Sequence, residues 1–142
     1  MGFEIPRRSI FVFECCNEGR SVDKNTLKNQ DGISIPVESS QHPFLIISDG
    51  DYNKNEGTKY ISGIPLTHTV NNKTKQFNGF QLESSDLEFG DYSQSIVLCD
   101  RPTRIFKINM KRPWRINGKV SYEAYQKIIS KVAQNCGVCN FS

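Results

Sequence analysis

His42–Pro43–Phe44–Leu45–Ile46–Ile47–Ser48 is a run of buried-type apolar residues that opens on a histidine, and Gly63–Ile64–Pro65–Leu66–Thr67–His68 answers it further along the chain. Four or five apolar residues in a strand fix the backbone, so a polar group at the strand's mouth is held at a defined place. A third piece, Ser95–Ile96–Val97–Leu98–Cys99–Asp100–Arg101–Pro102–Thr103–Arg104, repeats the form, with an apolar strand leading into a charged turn that contains proline. Three strand ends that carry His, Thr, Asp and Arg point to chemistry on a phosphate.

Ser9 to Cys15 reads as a first strand, 43–48 as a second, and further strands are expected near 58–66, 77–83 and 94–99. Asp49–Gly50–Asp51–Tyr52–Asn53 carries turn residues. Pro102 and Pro113 are expected to interrupt strand pairing nearby, because proline cannot donate to a ladder. Residues 17–41 are polar, contain Gly19, Gly32 and Pro36, and show no sustained period. A stretch of that length without a pattern, in a compact domain, reads as a functional or mobile loop. One helix is predicted over 121–135: Ser121 as N-cap, Val120 and Tyr125 as a hydrophobic staple, Ala124, Ile128 and Val132 as an apolar stripe with Ile129 alongside, and Gly137 near the end. The expected fold is mainly β, a small antiparallel barrel closed by a C-terminal α-helix, with residues 1–142 forming a single domain.

At 142 residues such a domain buries roughly 70% of its unfolded surface. Charged residues at 23% and apolar ones at 37% fit a globular chain and exclude a disordered one. No stretch nears the roughly 18 apolar residues of a membrane span. Arg7 and Arg8 precede Ile10–Phe11–Val12–Phe13, but that run is too short for a signal-peptide core and lacks a small-residue cleavage site. The expected location is therefore the cytoplasm, with no membrane partner. Five cysteines exclude complete disulfide pairing. Cys136-x-x-Cys139 is half of a zinc site whose other half has no standard spacing, so reduced thiols and neither metal nor other cofactor are expected. Residues 101–142 hold nine basic side chains against one acidic, interleaved with Phe106 and Trp114. That pattern suits a polyanion whose bases can stack, and equally a solvated basic face.

These motifs resemble the MazF/PemK toxins. His42–Pro43 with its apolar run, Ser48 and the later Tyr52–Asn53 is similar to their Arg-Pro-apolar-Ser strand followed by Tyr/Phe-Asn. Pro65–Leu66–Thr67–His68 is similar to their Pro-x-Thr-Ser/Thr strand end, and Cys99–Asp100–Arg101–Pro102 to the PemK/Kid Cys-Asp-Gln-Pro turn. Gly118–Lys119–Val120 matches the approach to their last helix, and the order holds over residues 42–132. The resemblance implies an SH3-like barrel of the CcdB/MazF type that forms a homodimer. It also implies metal-independent cleavage of single-stranded RNA, and a cognate antitoxin that fills the same groove. In that reaction a 2′-hydroxyl attacks the adjacent phosphate in line, which requires a base, an acid and donors for the developing charge.

Carried over residue by residue, Thr67 falls on the catalytic threonine and Asp100 on the aspartate of the PemK-like turn. His42 stands where the family has its catalytic arginine, which exchanges a permanent bidentate cation for a group that transfers protons. Residues 17–41 contain no histidine where the family has one in its loop. Arg20, Arg101 and Arg104 are the candidates for the lost guanidinium and for RNA binding, Arg101 and Arg104 being better placed by their strand-end turn. His68 is a further RNA-contacting and proton-transfer candidate, although neighbours on a strand point to opposite faces. Two alternatives stand beside the ribonuclease: a catalytically degenerate barrel that only binds RNA or protein, and a gyrase poison like CcdB.

Overall fold

The computed structural model describes residues 4–15, 40–68, 79–110 and 115–137. Among these residues eight strands form one sheet: Ser9–Cys15 (β1), Ser40–Ile46 (β2), Tyr60–Thr67 (β3), Gly79–Gln81 (β4), Leu87–Gly90 (β5), Ile96–Leu98 (β6), Thr103–Phe106 (β7) and Gly118–Val120 (β8). Two α-helices accompany them among the described residues, the short Gly50–Lys54 (α1) and the C-terminal Tyr122–Asn135 (α2). The sheet order is β4-β6-β3-β2-β1-β8-β5, with β7 also on β3, and every pairing is antiparallel. Its outermost strands, β4 and β5, are close neighbours in sequence, so the sheet curls into a half-barrel.

The unbroken apolar runs follow from where the central strands sit. On β1, β2 and β3 the residues Ile10, Leu45 and Ile64 point into one cluster, which α2 covers with Ala124, Tyr125 and Ile128. Phe11, Phe13, Phe44, Ile46 and Ile61 point the other way, into a second cluster with Ile105 and Met110. A strand buried on both faces reads as a continuous apolar stretch rather than an alternating one. Phe13 meets Phe44 edge to face, with centroids 5.7 Å apart. Met110 bridges back to Phe13, which closes the second cluster beneath the sheet.

Helix α2 forms as the capping pattern predicts. Ser121 Oγ accepts the Ala124 N–H at 3.1 Å, and Val120 and Tyr125 are buried together in the first cluster. Gly137, at φ +80, ends the helix and donates its N–H to Gln134 O at 3.1 Å. Replacing Ser121 with alanine removes one cap bond from a helix that holds the first core shut. The expected loss is about 1 kcal/mol in urea denaturation with an unchanged m-value. A loss below a few tenths of a kcal/mol counts against this cap.

Several local expectations need correction. The second strand is Ser40–Ile46, displaced toward the N-terminus, with Ile47 and Ser48 outside the ladder. The segment from Gly50 is helical rather than a turn, and the buried amide of Asn53 explains why. Asn53 Nδ2 donates to Ile5 O at 2.7 Å and Ser48 O at 3.0 Å, while Ser48 Oγ donates to Asn53 Oδ1 at 2.5 Å. Lys107 Nζ then binds the Asn53 and Asn55 carbonyls at 2.5 and 3.0 Å, which satisfies the end of α1; burial lowers the pKa of this lysine. Pro102 does not end strand pairing, because β7 begins at the next residue and pairs with β3 from Gly63↔Thr103 to Tyr60↔Phe106. Proline before a first strand residue costs the ladder no bond. Strands β5 and β8, four and three residues long, escape any periodic reading. Pro113, Trp114, Cys139 and nearly all of the 17–41 loop lie outside the described residues. Among those described, no helix is long and apolar enough to cross a membrane.

Candidate active site

Strands β2 and β3 set the site. Their register pairs Ile46 with Gly63, Leu45 with Ile64 and Phe44 with Pro65. His42 lies two residues before the last of these on β2, and Thr67 two residues beyond on β3, so both stand at the same end of the pair. Alternation assigns them a common face: His42 follows Phe44 and Ile46, and Thr67 follows Ile61 and Gly63. Along β3 the buried positions change phase, from Ile61 and Gly63 to Ile64 and Leu66. The second cluster therefore ends before Pro65 and Thr67, which are only half buried where Ile61 is sealed. His42 is half buried as well, beside the fully buried Phe44. The structure thus brings His42 and Thr67 to the rim of one face.

The turn carrying Asp100 and Arg101 adjoins this rim. Both β6 and β7 pair with β3, at Thr67↔Ile96 and Leu66↔Val97 and then from Gly63↔Thr103 onward. Residues 99–102 therefore leave the ladder opposite Ile64 and Pro65; Pro65 has no N–H to offer. The excursion is anchored by Cys99, wholly buried in the first cluster, and closed by Arg101 N–H on Leu98 O at 2.9 Å. Burial pushes the Cys99 thiol up to about 11, with Lys131 opposing and Asp100 adding to the shift. This cysteine is structural and protonated. Asp100 and Arg101 are exposed and pair loosely, Arg101 Nε lying 4.0 Å from Asp100 Oδ1. A pair this exposed is worth little to stability and leaves both groups available to a ligand.

His68 and Arg104 have other surroundings. His68 Nδ1 lies 3.1 Å from Ser95 Oγ, and its ring is parallel to Tyr92, at 12° with centroids 6.4 Å apart. Arg104 lies opposite Ser62, and its guanidinium sits 4.1 Å above the Tyr60 ring, which in turn tilts against Phe106 at 4.6 Å. Ser62 is five residues from Thr67 and on the opposite face, about 16 Å away along a strand. Arg104 is therefore not brought to Thr67, and Arg101 is the arginine nearer the rim. Arg20 lies outside the described residues. Thr103, opposite Gly63 and on the face of Thr67, is a hydroxyl that the sequence reading passed over; so were Ser95, Tyr92 and Tyr60. Their signal was long-range pairing, which spacing along the chain does not carry.

A strongly curled antiparallel half-barrel with a C-terminal helix across one core is a known architecture. It is the fold of the MazF toxins. A structure of an endoribonuclease from mycobacterial species matches with a TM-score of 0.62, covering 99% of each chain at 14% identity. A MazE–MazF crystal structure from Deinococcus radiodurans matches at 0.64, covering 96% of this chain and 100% of that one at 12% identity. A mycobacterial endoribonuclease in complex with its cognate antitoxin matches at 0.61, with 96% and 99% covered and 15% identity. The sequence itself matches no protein-family model and no curated protein. Similarity therefore resides in the backbone path, with most side chains differing.

Proposed function

We propose that the chain is a divergent toxin of the MazF/PemK type, a single-domain endoribonuclease that cuts single-stranded RNA without a metal. The observation that carries this reading is the rim itself: His42 and Thr67 share one face at the β2–β3 mouth, with the exposed Asp100–Arg101 turn beside them. The whole-chain likeness to proteins described as endoribonucleases and MazF toxins supports it. In the reaction a ribose 2′-hydroxyl attacks the neighbouring phosphorus while the 5′-oxygen leaves. His42 exchanges protons with the reacting oxygens, Thr67 donates its hydroxyl to a phosphate oxygen, and Arg101 supplies positive charge. Asp100 acts as acid or base, or holds that arginine. The protein works in the cytoplasm as a homodimer and is silenced by a cognate antitoxin. The antitoxin is supported by a matching structure of an endoribonuclease in complex with its cognate antitoxin.

The decisive test is incubation of the purified chain with a varied single-stranded RNA in excess EDTA. The expected outcome is cleavage with products ending in a 2′,3′-cyclic phosphate. Intact RNA under those conditions rejects the ribonuclease reading and leaves the degenerate binding barrel or the gyrase poison.

A further inference from the structure

We propose that His68 and Tyr92 form a stacking ledge for one nucleobase of single-stranded RNA, belonging to a nucleotide next to the phosphate held at Thr67. The proposal rests on the ribonuclease reading above and adds to it a subsite built from side chains on two separate segments, the end of β3 and the β5–β6 connection. His68 follows Thr67 directly, but as the strand ends it turns to the other side, toward Tyr92 and Ser95. It therefore faces away from the phosphate site proposed at Thr67 and toward the place of an adjacent nucleotide.

Two contacts fix the imidazole. Its Nδ1 is engaged by Ser95 Oγ at 3.1 Å, and Ser95 is only 1% exposed, so this partner cannot swing into solvent. The ring lies nearly parallel to Tyr92 and offset from it, with centroids 6.4 Å apart. Tyr92 is itself seated: a Cβ at Gly118 would lie 3.0 Å from Tyr92 Cδ2, so the phenol ring packs on bare backbone of β8. His68 is nonetheless exposed. A ring that is held at its edge and is exposed loses little freedom when a second ring lands on it, which is the condition for efficient stacking. Every base has a π-face, so such a ledge tolerates any base and adds affinity more than sequence choice. With Nδ1 occupied, Nε2 is the ring's remaining polar atom for a base edge or ribose hydroxyl.

The test is equilibrium binding of the full chain to a short fluorescent single-stranded RNA, made uncleavable with 2′-deoxyribose, and to a set of copies each lacking one base. His68→Ala is expected to weaken binding of the intact RNA roughly 5- to 100-fold, the value of one stacked base. His68→Phe, which keeps a ring, is expected to stay within about threefold of wild type. One abasic position should weaken the wild type as much as His68→Ala does, and should cost His68→Ala nothing more. The ledge is overturned if His68→Ala binds as tightly as wild type, if His68→Phe is as weak as His68→Ala, or if no abasic position distinguishes the two proteins. Cleavage by wild type in EDTA tells which idea has failed. RNA cut normally with unchanged affinity in His68→Ala removes the ledge alone; RNA neither bound nor cut removes the ribonuclease reading with it.

Discussion

Thr67→Ala and His42→Ala are each expected to slow cleavage of single-stranded RNA by roughly 10²- to 10³-fold while leaving RNA affinity nearly unchanged. The asymmetry follows from when the groups act. The Thr67 hydroxyl and the His42 imidazole meet charge and protons that develop only as the phosphorane forms, so their loss raises the barrier more than it weakens the ground-state complex. Neither substitution should disturb the fold, because both positions lie on the half-buried rim beyond the sealed second cluster. The measurement is single-turnover cleavage beside anisotropy with an uncleavable RNA. Equal rates for His42→Ala and wild type would remove His42 from the chemistry and pass the proton transfers to Asp100.

His42→Arg is the sharper experiment. It restores the guanidinium that the MazF/PemK toxins carry before this proline. If the histidine transfers protons, arginine cannot replace it, since a guanidinium does not release a proton in a protein, and the rate should fall. If the rate rises, charge on the phosphate is what the site lacks, and the native protein is a weakened toxin whose role is closer to binding.

Much of this architecture could be read along the chain, for definite reasons. Phe44–Leu45–Ile46 is buried on both faces and has no alternation to blur it; Ser121, Val120 and Tyr125 act within five residues of each other. What escaped depends on partners far away. Strand β7 was hidden by Pro102, whose missing N–H matters only if a ladder needs it there. Helix α1 buries a single side chain, Asn53, and is held by Ser48 and Lys107 rather than by an apolar stripe. In the site, His42 and Thr67 were legible as strand mouths, but their shared face is fixed by the Phe44↔Pro65 register. Arg104 looked adjacent to the chemistry because it follows Asp100 closely; pairing with Ser62 carries it down the strand and onto Tyr60. Ser95 and His68 are 27 residues apart, and no spacing rule joins them.

The largest loss of stability is expected at an exposed position, Gly90. It holds φ +107 at the end of β5, and a Cβ there would stand 2.7 Å from Gly118 Cα and 2.8 Å from Asn117 O. Both are backbone atoms at the start of β8, so no side chain can rotate away to make room. Gly137 provides the comparison, because at φ +80 it has nothing within 4 Å of its Cβ position. Gly137→Ala therefore measures strain alone and is expected to cost about 1 kcal/mol. Gly90→Ala adds displacement of β8 to that strain and is expected to cost about 3 kcal/mol or more, read by urea denaturation of both variants. If the two variants lie within about 1 kcal/mol of each other, β8 yields easily and the close approach is not a constraint. The consequence reaches the site, because Gly118 is also the seat of Tyr92, and Tyr92 lies beside His68. Any fraction of Gly90→Ala that folds should therefore carry a shifted ledge, with weaker RNA binding, while Thr67 and His42, fixed by β2 and β3, keep their places.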